Sequence, residues 1–145
     1  MSPLTRILSM FVLVLVVGGC ATSGPKFSEA GARSVTIPNA ETARIYLYRT
    51  VLLGAAVQPE VKVNGVVVGR AVPRGYFFVD QPPGACEITT TTEVERKLSL
   101  TLEKGEVRYV KLSIGLGFFV GHVYPELIDS EIALREIQNL RFTGN

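Results

Sequence analysis

The strongest constraint on the fold is a pair of β-branched runs separated by a two-residue turn sequence. Residues 61–63 and 66–68, which contain five valines between them, flank Asn64 and Gly65. A type I′ hairpin turn needs positive φ at both central positions, and Asn followed by Gly meets this need at low conformational cost. The sequence therefore predicts an antiparallel hairpin over residues 61–68.

Short runs with alternating apolar and polar residues continue along the chain. A period of two is typical of strands that bury one face. Pro83-Gly84 predicts a tight reversal between two of these runs. The predicted strands cover residues 43–49, 61–63, 66–68, 76–80, 86–93, 96–102 and 107–114. Such a series favours a mainly β fold, an antiparallel β-sandwich of about seven short strands, over a parallel sheet.

Helical periodicity is present near the end of the chain, within residues 125–140. Asp129 or Ser130 is suited to cap a helix N-terminus, and Glu131 suits the first turn. The apolar stripe at positions i, i+4 and i+7 consists of Ala133, Ile137 and Leu140. We therefore expect one C-terminal α-helix that packs this stripe against the sheet.

The N-terminal segment has a different character. An eleven-residue apolar run, residues 7–17, follows Arg6. As a helix this run would span about 16 Å, roughly half of the ~30 Å hydrocarbon core of a bilayer. The run therefore predicts a cleaved secretory signal peptide rather than a membrane-spanning helix.

The apolar run ends in Val17-Gly18-Gly19-Cys20, which resembles the lipobox of bacterial lipoproteins. The resemblance implies cleavage between Gly19 and Cys20, a diacylglyceryl group on the Cys20 sulfur, and acylation of the freed amine with a fatty acid such as palmitate. Two acyl chains are enough for stable anchoring, since each buried methylene contributes about 0.8 kcal/mol. An ordinary secretory signal with a chance cysteine and an uncleaved anchor remain as alternatives.

In lipoproteins of double-membraned bacteria, an aspartate after the acylated cysteine favours the inner membrane. Ala21 stands at this position. The resemblance therefore implies the periplasmic face of the outer membrane, if the host has one. We expect three parts: the signal peptide in residues 1–19, the lipidated cysteine and a flexible tether in residues 20–41, and the β-sandwich domain with its C-terminal helix in residues 42–145.

The second cysteine, Cys86, has no partner for an intramolecular disulfide if Cys20 is acylated. Period-two alternation places Cys86 on the same strand face as Ile88. Because free cysteine behaves as a small apolar residue, a buried structural thiol is predicted. A reactive or metal-binding thiol is the alternative.

Charge and residue counts restrict the function classes. The 15 Lys and Arg against 13 Asp and Glu give a net charge of +2, whereas a nucleic-acid-binding protein normally has a strongly basic face. One His and two Asp are too few for the common metal centres and His-dependent catalytic sites. We therefore expect no nucleic-acid partner, no cofactor, no metal and no enzyme activity.

The sequence also suggests roles for individual polar residues. His122 has no evident partner in the sequence and is expected to be structural. Glu93 and Glu95, two apart on a strand, are expected to form exterior charge together with Arg96. Four arginines are candidates for an anionic-ligand surface, although nothing in the sequence shows that they converge: Arg44, Arg49, Arg70 and Arg74.

Residues 115–122 depart from the strand pattern, since three glycines there surround large apolar residues. Val120 stands where a dinucleotide-binding motif would need its third glycine, so this motif is excluded. Two interpretations remain. In one, Phe118 and Phe119 fill the core at a glycine-kinked crossover. In the other, Phe118, Phe119 and Val120 form an exposed interaction loop that docks on a partner or a membrane.

Several of these segments together resemble a family of bacterial lipoproteins. The segments are residues 76–80, Pro83-Gly84, the predicted strand 96–102 with its alternating leucines, Lys104-Gly105-Glu106 with Tyr109, and residues 115–121. Over residues 42–140 the chain resembles the domain of unknown function numbered 2846. The turns are also similar to those of small surface β-sandwich modules named for a Pro-Glu-Gly-Ala motif, although Gln81-Pro82-Pro83-Gly84 stands at that position.

The family resemblance implies a small β-sandwich and no assigned activity. With the lipobox, it predicts a lipid-anchored cell-envelope protein of unknown molecular role, held to its membrane through acyl chains on Cys20. A binding or scaffolding module with an envelope protein partner is the first hypothesis. The alternative is a small-ligand-binding or enzymatic periplasmic domain whose cleft is not visible in the sequence.

Overall fold

The computed structural model describes residues 24–30, 39–115 and 121–144, and within them the chain forms nine strands and two helices. In chain order the elements are α1 (Phe27–Ala30), β1 (Ala43–Tyr48), β2 (Glu60–Val63), β3 (Val66–Arg70), β4 (Gly75–Gln81), β5 (Gly84–Thr91), β6 (Glu95–Leu102), β7 (Val107–Gly115), β8 (His122–Ile128), α2 (Ser130–Ile137) and β9 (Arg141–Phe142). In this part of the chain, neither helix has the length and apolar character needed to cross a membrane.

The strands form two sheets that enclose an apolar core. One sheet has the order β8-β7-β1-β4-β9, and the other has the order β3-β2-β5-β6. Alternate residues of both sheets meet in the core: Ile45, Leu47, Val61, Val63, Cys86, Ile88, Val110 and Leu112 are all buried there. The mainly β sandwich with a C-terminal helix is therefore confirmed.

The predicted hairpin is present as β2 and β3. Asn64 has a φ of 50° and Gly65 a φ of 81°, the positive values that a type I′ turn requires. Val63 and Val66 pair across the turn. The reversal at Pro83-Gly84 has a different role, because β4 and β5 belong to different sheets and the chain crosses between the sheets there.

The observed pairing adds two strands and two parallel neighbours to the sequence expectation. Strand β1 lies parallel to β7, and β4 lies parallel to β9, whereas the other neighbouring strands pair antiparallel. The additional strands are β8 and β9. Pro125 lies inside β8 opposite Leu112, and an edge strand tolerates proline because one row of its backbone groups is not used for pairing.

The outer face of the five-stranded sheet carries a second core. Its buried members are Phe27, Tyr46, Tyr48, Tyr76, Tyr109, Ala133, Ile137 and Leu140. The predicted stripe of α2 therefore packs on the sheet as expected. The Asp129 side chain caps the helix by accepting a hydrogen bond from the Glu131 backbone N–H at 2.9 Å. Because α2 and the N-terminal segment cover this face, all six residues of β1 are buried.

Residues 24–30 correct the expectation of a flexible tether over residues 20–41. Phe27 is only 4% exposed and makes edge-to-face contacts with Tyr46 and Tyr76. The Phe27 N–H donates to the Leu140 carbonyl at 3.0 Å. The small polar residues around Phe27 are typical of a linker, but one large aromatic side chain is enough to fix the segment to the domain.

Candidate functional site

The residues that the sequence assigns to lipidation, cleavage and docking lie outside the described part of the chain. They are Gly19, Cys20, Phe118, Phe119 and Val120. Lipidation of Cys20 and the role of the Phe118–Val120 segment therefore stay predictions. The described residue nearest to Cys20 is Gly24. Those nearest to Phe118–Val120 are Gly115, which pairs with His122, and Gly121.

Cys86 is buried, as predicted. Its residue surface is 3% exposed, and its side chain lies in the core between the sheets together with Ile88. Burial raises the pKa of the thiol, which disfavours the reactive thiolate at neutral pH. The thiol is therefore a packing group of the sandwich.

The four candidate arginines do not form one surface. Arg44 is almost fully buried, and its guanidinium makes a two-point ion pair with Asp80, with Nε–Oδ1 and Nη2–Oδ2 distances of 2.7 and 2.8 Å. It also lies 4.1 Å from the centre of the Phe78 ring. The hydrogen bond with Asp80 raises the pKa of Arg44. Arg44 therefore has a structural role.

Arg49 is fully buried and organises the β1–β2 loop, residues 49–59. Its Nη1 donates to the carbonyls of Val57 and Ala71 at 2.7 and 2.9 Å, and its Nη2 to those of Leu53 and Gly54 at 2.7 and 2.9 Å. Burial lowers the pKa of Arg49. Four carbonyl dipoles thus surround the guanidinium, and each hydrogen bond fixes a part of the loop or of the segment beside it.

The loop that Arg49 organises exposes apolar side chains. Val51 is 41% exposed, Leu52 64% and Leu53 74%. Loops usually present polar residues to water, and a run of exposed apolar residues marks a contact surface. Because the carbonyls of Leu53 and Gly54 are bound to Arg49, the backbone holds these side chains outward.

Backbone pairing places the N-terminal segment at the same end of the sandwich as this loop. The Arg49 N–H donates to the Gly75 carbonyl at 3.0 Å. Gly75 pairs with Arg141 in the parallel β4–β9 ladder, and Arg141 pairs with Lys26. The Arg141 Nη1 also donates to the Gly24 carbonyl at 3.1 Å. We call this end, formed by residues 24–26, 49–59, 71–75 and 141, the loop end.

Besides the buried Arg49, three cations lie at the loop end: Lys26, Arg74 and Arg141. The Arg141 N–H donates to the Arg74 carbonyl at 3.1 Å, so these two residues are direct neighbours. Within the described residues none of the three is in an ion pair. Glu29, the carboxylate nearest to Lys26 in the chain, accepts a hydrogen bond from the Lys26 N–H at 3.0 Å. Glu60 at the start of β2 lies at the same end, and so do Glu93 and Glu95, because the β5–β6 turn follows the residues that pair with the start of β2.

A groove lies at the open edge between β3 and β9. Its volume is about 340 Å³, and the residues that line it include Val68, Gly69, Arg70, Phe77, Phe142 and Thr143. Gly69 keeps the groove open, because a Cβ at this position would lie 2.8 Å from atoms of the Phe77 ring. The lining is both apolar and polar, which suits an extended segment or a small amphipathic ligand.

His122 has neighbours that the sequence did not show. Its Nδ1 lies 3.3 Å from the Thr92 hydroxyl, and its Nε2 lies 3.9 Å from the Glu93 carboxylate. A cavity of about 410 Å³ borders this ring and is also lined by Arg96 and Tyr124. Glu93, Glu95 and Arg96 are all exposed, as expected, and Glu93 also lies within ion-pair distance of the imidazole. No group of three or more His, Cys, Asp and Glu side chains in the described ranges could hold a metal ion.

Comparison with known proteins identifies the family. The family described as a protein of unknown function, DUF2846, matches residues 39–123. The chain belongs to this family. The matched part begins just before β1 and ends in β8, so it holds most of both sheets, Arg49 and the apolar loop. The resemblance drawn from the strand and turn residues is confirmed.

One relative extends the similarity over nearly the whole chain. It is a protein of Haemophilus influenzae strain Rd, described as uncharacterized, and it is 23% identical over 135 residues. The similarity covers 91% of this chain and 80% of that protein. Neither description states an activity or a ligand.

Proposed function

We propose that the protein is a lipid-anchored component of the cell envelope whose β-sandwich is a binding or scaffolding module. The observation that carries the proposal is the position of the packed segment relative to the lipobox-like sequence. Cys20 lies four residues before Gly24, where the described domain begins. Four residues span at most about 14 Å, so lipid on Cys20 would hold the domain directly against its membrane.

The surface of the domain supports a binding role. The apolar side chains of Leu52 and Leu53 are exposed on a loop whose backbone is fixed by Arg49. The groove beside Phe77 and Phe142 gives a second concave surface. A fixed apolar loop and a groove are features of surfaces that contact other molecules. Ala21 after the cysteine favours the periplasmic face of the outer membrane in a double-membraned host.

The test is lipidation of Cys20 in the producing cell. Cys20→Ala removes the thiol that would receive the diacylglyceryl group, and Cys86→Ala is the matched control because it removes the second thiol. We expect intact-mass spectrometry to find acyl chains and an N-terminus at residue 20 in the wild type and in Cys86→Ala. Cys20→Ala should be unprocessed or soluble and should carry no acyl chain. Equal masses of lipid in Cys20→Ala and wild type would contradict the proposal.

The cavity beside His122 favours a second candidate function, a periplasmic domain that binds a small ligand. Arg96 and Tyr124 line this cavity together with the imidazole. A small anion that raises the melting temperature of the wild type, and does not raise that of His122→Gln, would support this function. Equal shifts in the two proteins would exclude the cavity as the binding site.

A further inference from the structure

We propose that the loop end of the sandwich rests on the membrane. Leu52 and Leu53 then enter the interfacial region of the bilayer, and Lys26, Arg74 and Arg141 contact the headgroups of anionic phospholipids. This inference rests on the proposed lipidation of Cys20 and adds the orientation and the lipid class.

The chain between the proposed lipid and the domain is short. Gly24 lies at the loop end, where its carbonyl accepts a hydrogen bond from Arg141. With Cys20 four residues before Gly24, the distance from the lipidated cysteine to the loop end is at most about 14 Å. A domain that rotates freely needs a longer linker. The sequence predicted a tether over residues 20–41, and the packing of Phe27 on the domain shortens it.

The apolar β1–β2 loop is a second feature that favours contact with a membrane. Leu52 and Leu53 are 64% and 74% exposed, and they lie at the end of the molecule from which the lipid-bearing segment leaves. Exposed leucines at a membrane interface are stabilised by leaving water. The carbonyls of Leu53 and Gly54 are bound to the buried Arg49, so the loop need not reorganise when it meets the bilayer.

Positive charge at the loop end is a third feature that favours contact with a membrane. Lys26, Arg74 and Arg141 are unpaired with carboxylates in the described part of the chain, and their backbones are neighbours. Lipid anchoring becomes firm when acyl chains act together with basic residues that meet anionic lipid. A cluster of unpaired cations beside exposed leucines fits an anionic bilayer surface better than it fits a neutral one.

The opposite end of the sandwich, which we call the turn end, differs in that several of its cations are paired with carboxylates. It contains the turns at residues 64–65 and 103–106. Its carboxylates are Glu41, Asp80, Glu103 and Glu106, and the neighbouring cations Arg44, Lys104 and Arg108 each pair with one of them. Val66 is 65% exposed, about as exposed as Leu52, and it lies beside the hairpin turn rather than at the loop end. Val66 is therefore a matched control.

The chain contains no tryptophan, so one introduced tryptophan reports its own environment. Leu53→Trp and Val66→Trp are made in the full-length gene, and the processed proteins are purified from membranes. They are reconstituted in vesicles of phosphatidylethanolamine and phosphatidylglycerol with brominated acyl chains. We expect bromolipid to quench Leu53→Trp at least about twofold more than Val66→Trp, because the loop end enters the interface. Unchanged melting temperatures show that both variants are folded.

A second comparison tests the lipid class. In the Leu53→Trp protein, the triple variant Lys26→Gln, Arg74→Gln, Arg141→Gln should lose about half of the quenching in phosphatidylglycerol vesicles. The control triple Lys62→Gln, Lys104→Gln, Arg135→Gln removes the same charge away from the loop end and should keep the quenching. Neutral phosphatidylcholine vesicles should weaken quenching of Leu53→Trp without releasing the lipidated protein.

Three results would overturn the inference while lipidation stands. They are equal quenching of the two tryptophans, stronger quenching of Val66→Trp, and a blue-shifted but unquenched Leu53→Trp, which would show that protein covers the loop. Equal loss of quenching in both triple variants would contradict the contact of Lys26, Arg74 and Arg141 with anionic headgroups. Purified protein without acyl chains would instead remove the proposed function, and this inference with it.

Discussion

Arg49 directly follows the last residue of β1 and carries its charge into the interior of the domain. In the sequence, Arg49 is one of four arginines that are candidates for an anionic-ligand surface. The structure instead surrounds its guanidinium with four backbone carbonyls. These acceptors belong to a loop and to the residue after β3, so the local sequence gives no sign of them.

Because four carbonyls bind its guanidinium, we expect replacement of Arg49 to lower the stability of the fold. We expect Arg49→Lys to lower the free energy of unfolding by about 2 to 4 kcal/mol, because one ammonium group cannot reach both pairs of carbonyls and leaves buried acceptors unsatisfied. Urea denaturation measures this change. Arg70→Lys is the matched control, since Arg70 is exposed, and it should change stability by less than about 0.5 kcal/mol. Similar losses in both variants would contradict the role of Arg49.

A second residue, Glu136, joins α2 to the five-stranded sheet. Its carboxylate accepts hydrogen bonds from the Tyr48 hydroxyl at 2.8 Å and from the Lys111 ammonium at 2.6 Å. Burial alone would raise the pKa of Glu136, but these two hydrogen bonds outweigh it and the pKa is lowered from its ordinary value of 4.5. Burial also raises the pKa of Tyr48, which therefore stays a donor at neutral pH.

The lowered pKa predicts how stability depends on acid. A carboxyl group with a lower pKa in the folded chain stabilises the fold above its unfolded pKa, and this contribution is lost as the pH falls through the folded pKa. We therefore expect urea denaturation to show a loss of wild-type stability below about pH 4.5 that is smaller in Glu136→Gln. Glu131→Gln, which affects only an exposed pair with Arg135, should keep the wild-type dependence. An unchanged acid dependence in Glu136→Gln would exclude this pair of hydrogen bonds as its source.

Among the elements, those with local signals could be predicted from the sequence. The β2–β3 hairpin follows from Asn64-Gly65, and α2 follows from the Asp129 cap and its apolar stripe. Strand β8 was missed because Pro125 interrupts its pattern, although an edge strand accepts proline. The parallel pairing of β1 with β7 joins residues far apart in the chain, and period-two alternation carries no information about which strands become neighbours.

We expect substitutions of Gly65 in the hairpin turn to act through backbone conformation rather than through packing. Gly65 has a φ of 81°, and a Cβ built on it meets nothing within 4 Å. We expect Gly65→Val to cost about 1 to 2 kcal/mol of unfolding free energy, because a β-branched residue is strained at positive φ. Gly65→Asn should cost less, since asparagine tolerates this region. Thermal unfolding compares the two, and an equal cost would point to a cause other than backbone strain.

We expect the attachment of residues 24–30 to the domain to depend on Phe27. Phe27 packs between Tyr46 and Tyr76, so Phe27→Ala should detach residues 24–30 while the two sheets stay folded. We expect hydrogen exchange of the Phe27 and Phe142 amides to rise about 100-fold, as follows from a loss of roughly 3 kcal/mol. Ser28→Ala, at an exposed neighbouring position, should leave both amides protected. Protection that persists in Phe27→Ala would show that the segment does not depend on this ring.

At the scale of the whole molecule, the sandwich has two different ends. The loop end joins exposed leucines, unpaired cations and the segment that follows Cys20, and the turn end carries carboxylates with paired cations. The lipobox-like sequence and the sandwich could each be predicted from the sequence. Their relation could not, because it depends on the packing of Phe27 and on the β9 pairing of Arg141, both of which are tertiary contacts.

The most direct test of this account is the mass of the native protein extracted from cell envelopes. The account predicts a chain that starts at residue 20 and is heavier than its amino acids by a diacylglyceryl group, with or without a further acyl chain on the amine. A chain that starts upstream of Cys20, or one whose mass equals that of its amino acids alone, would contradict it.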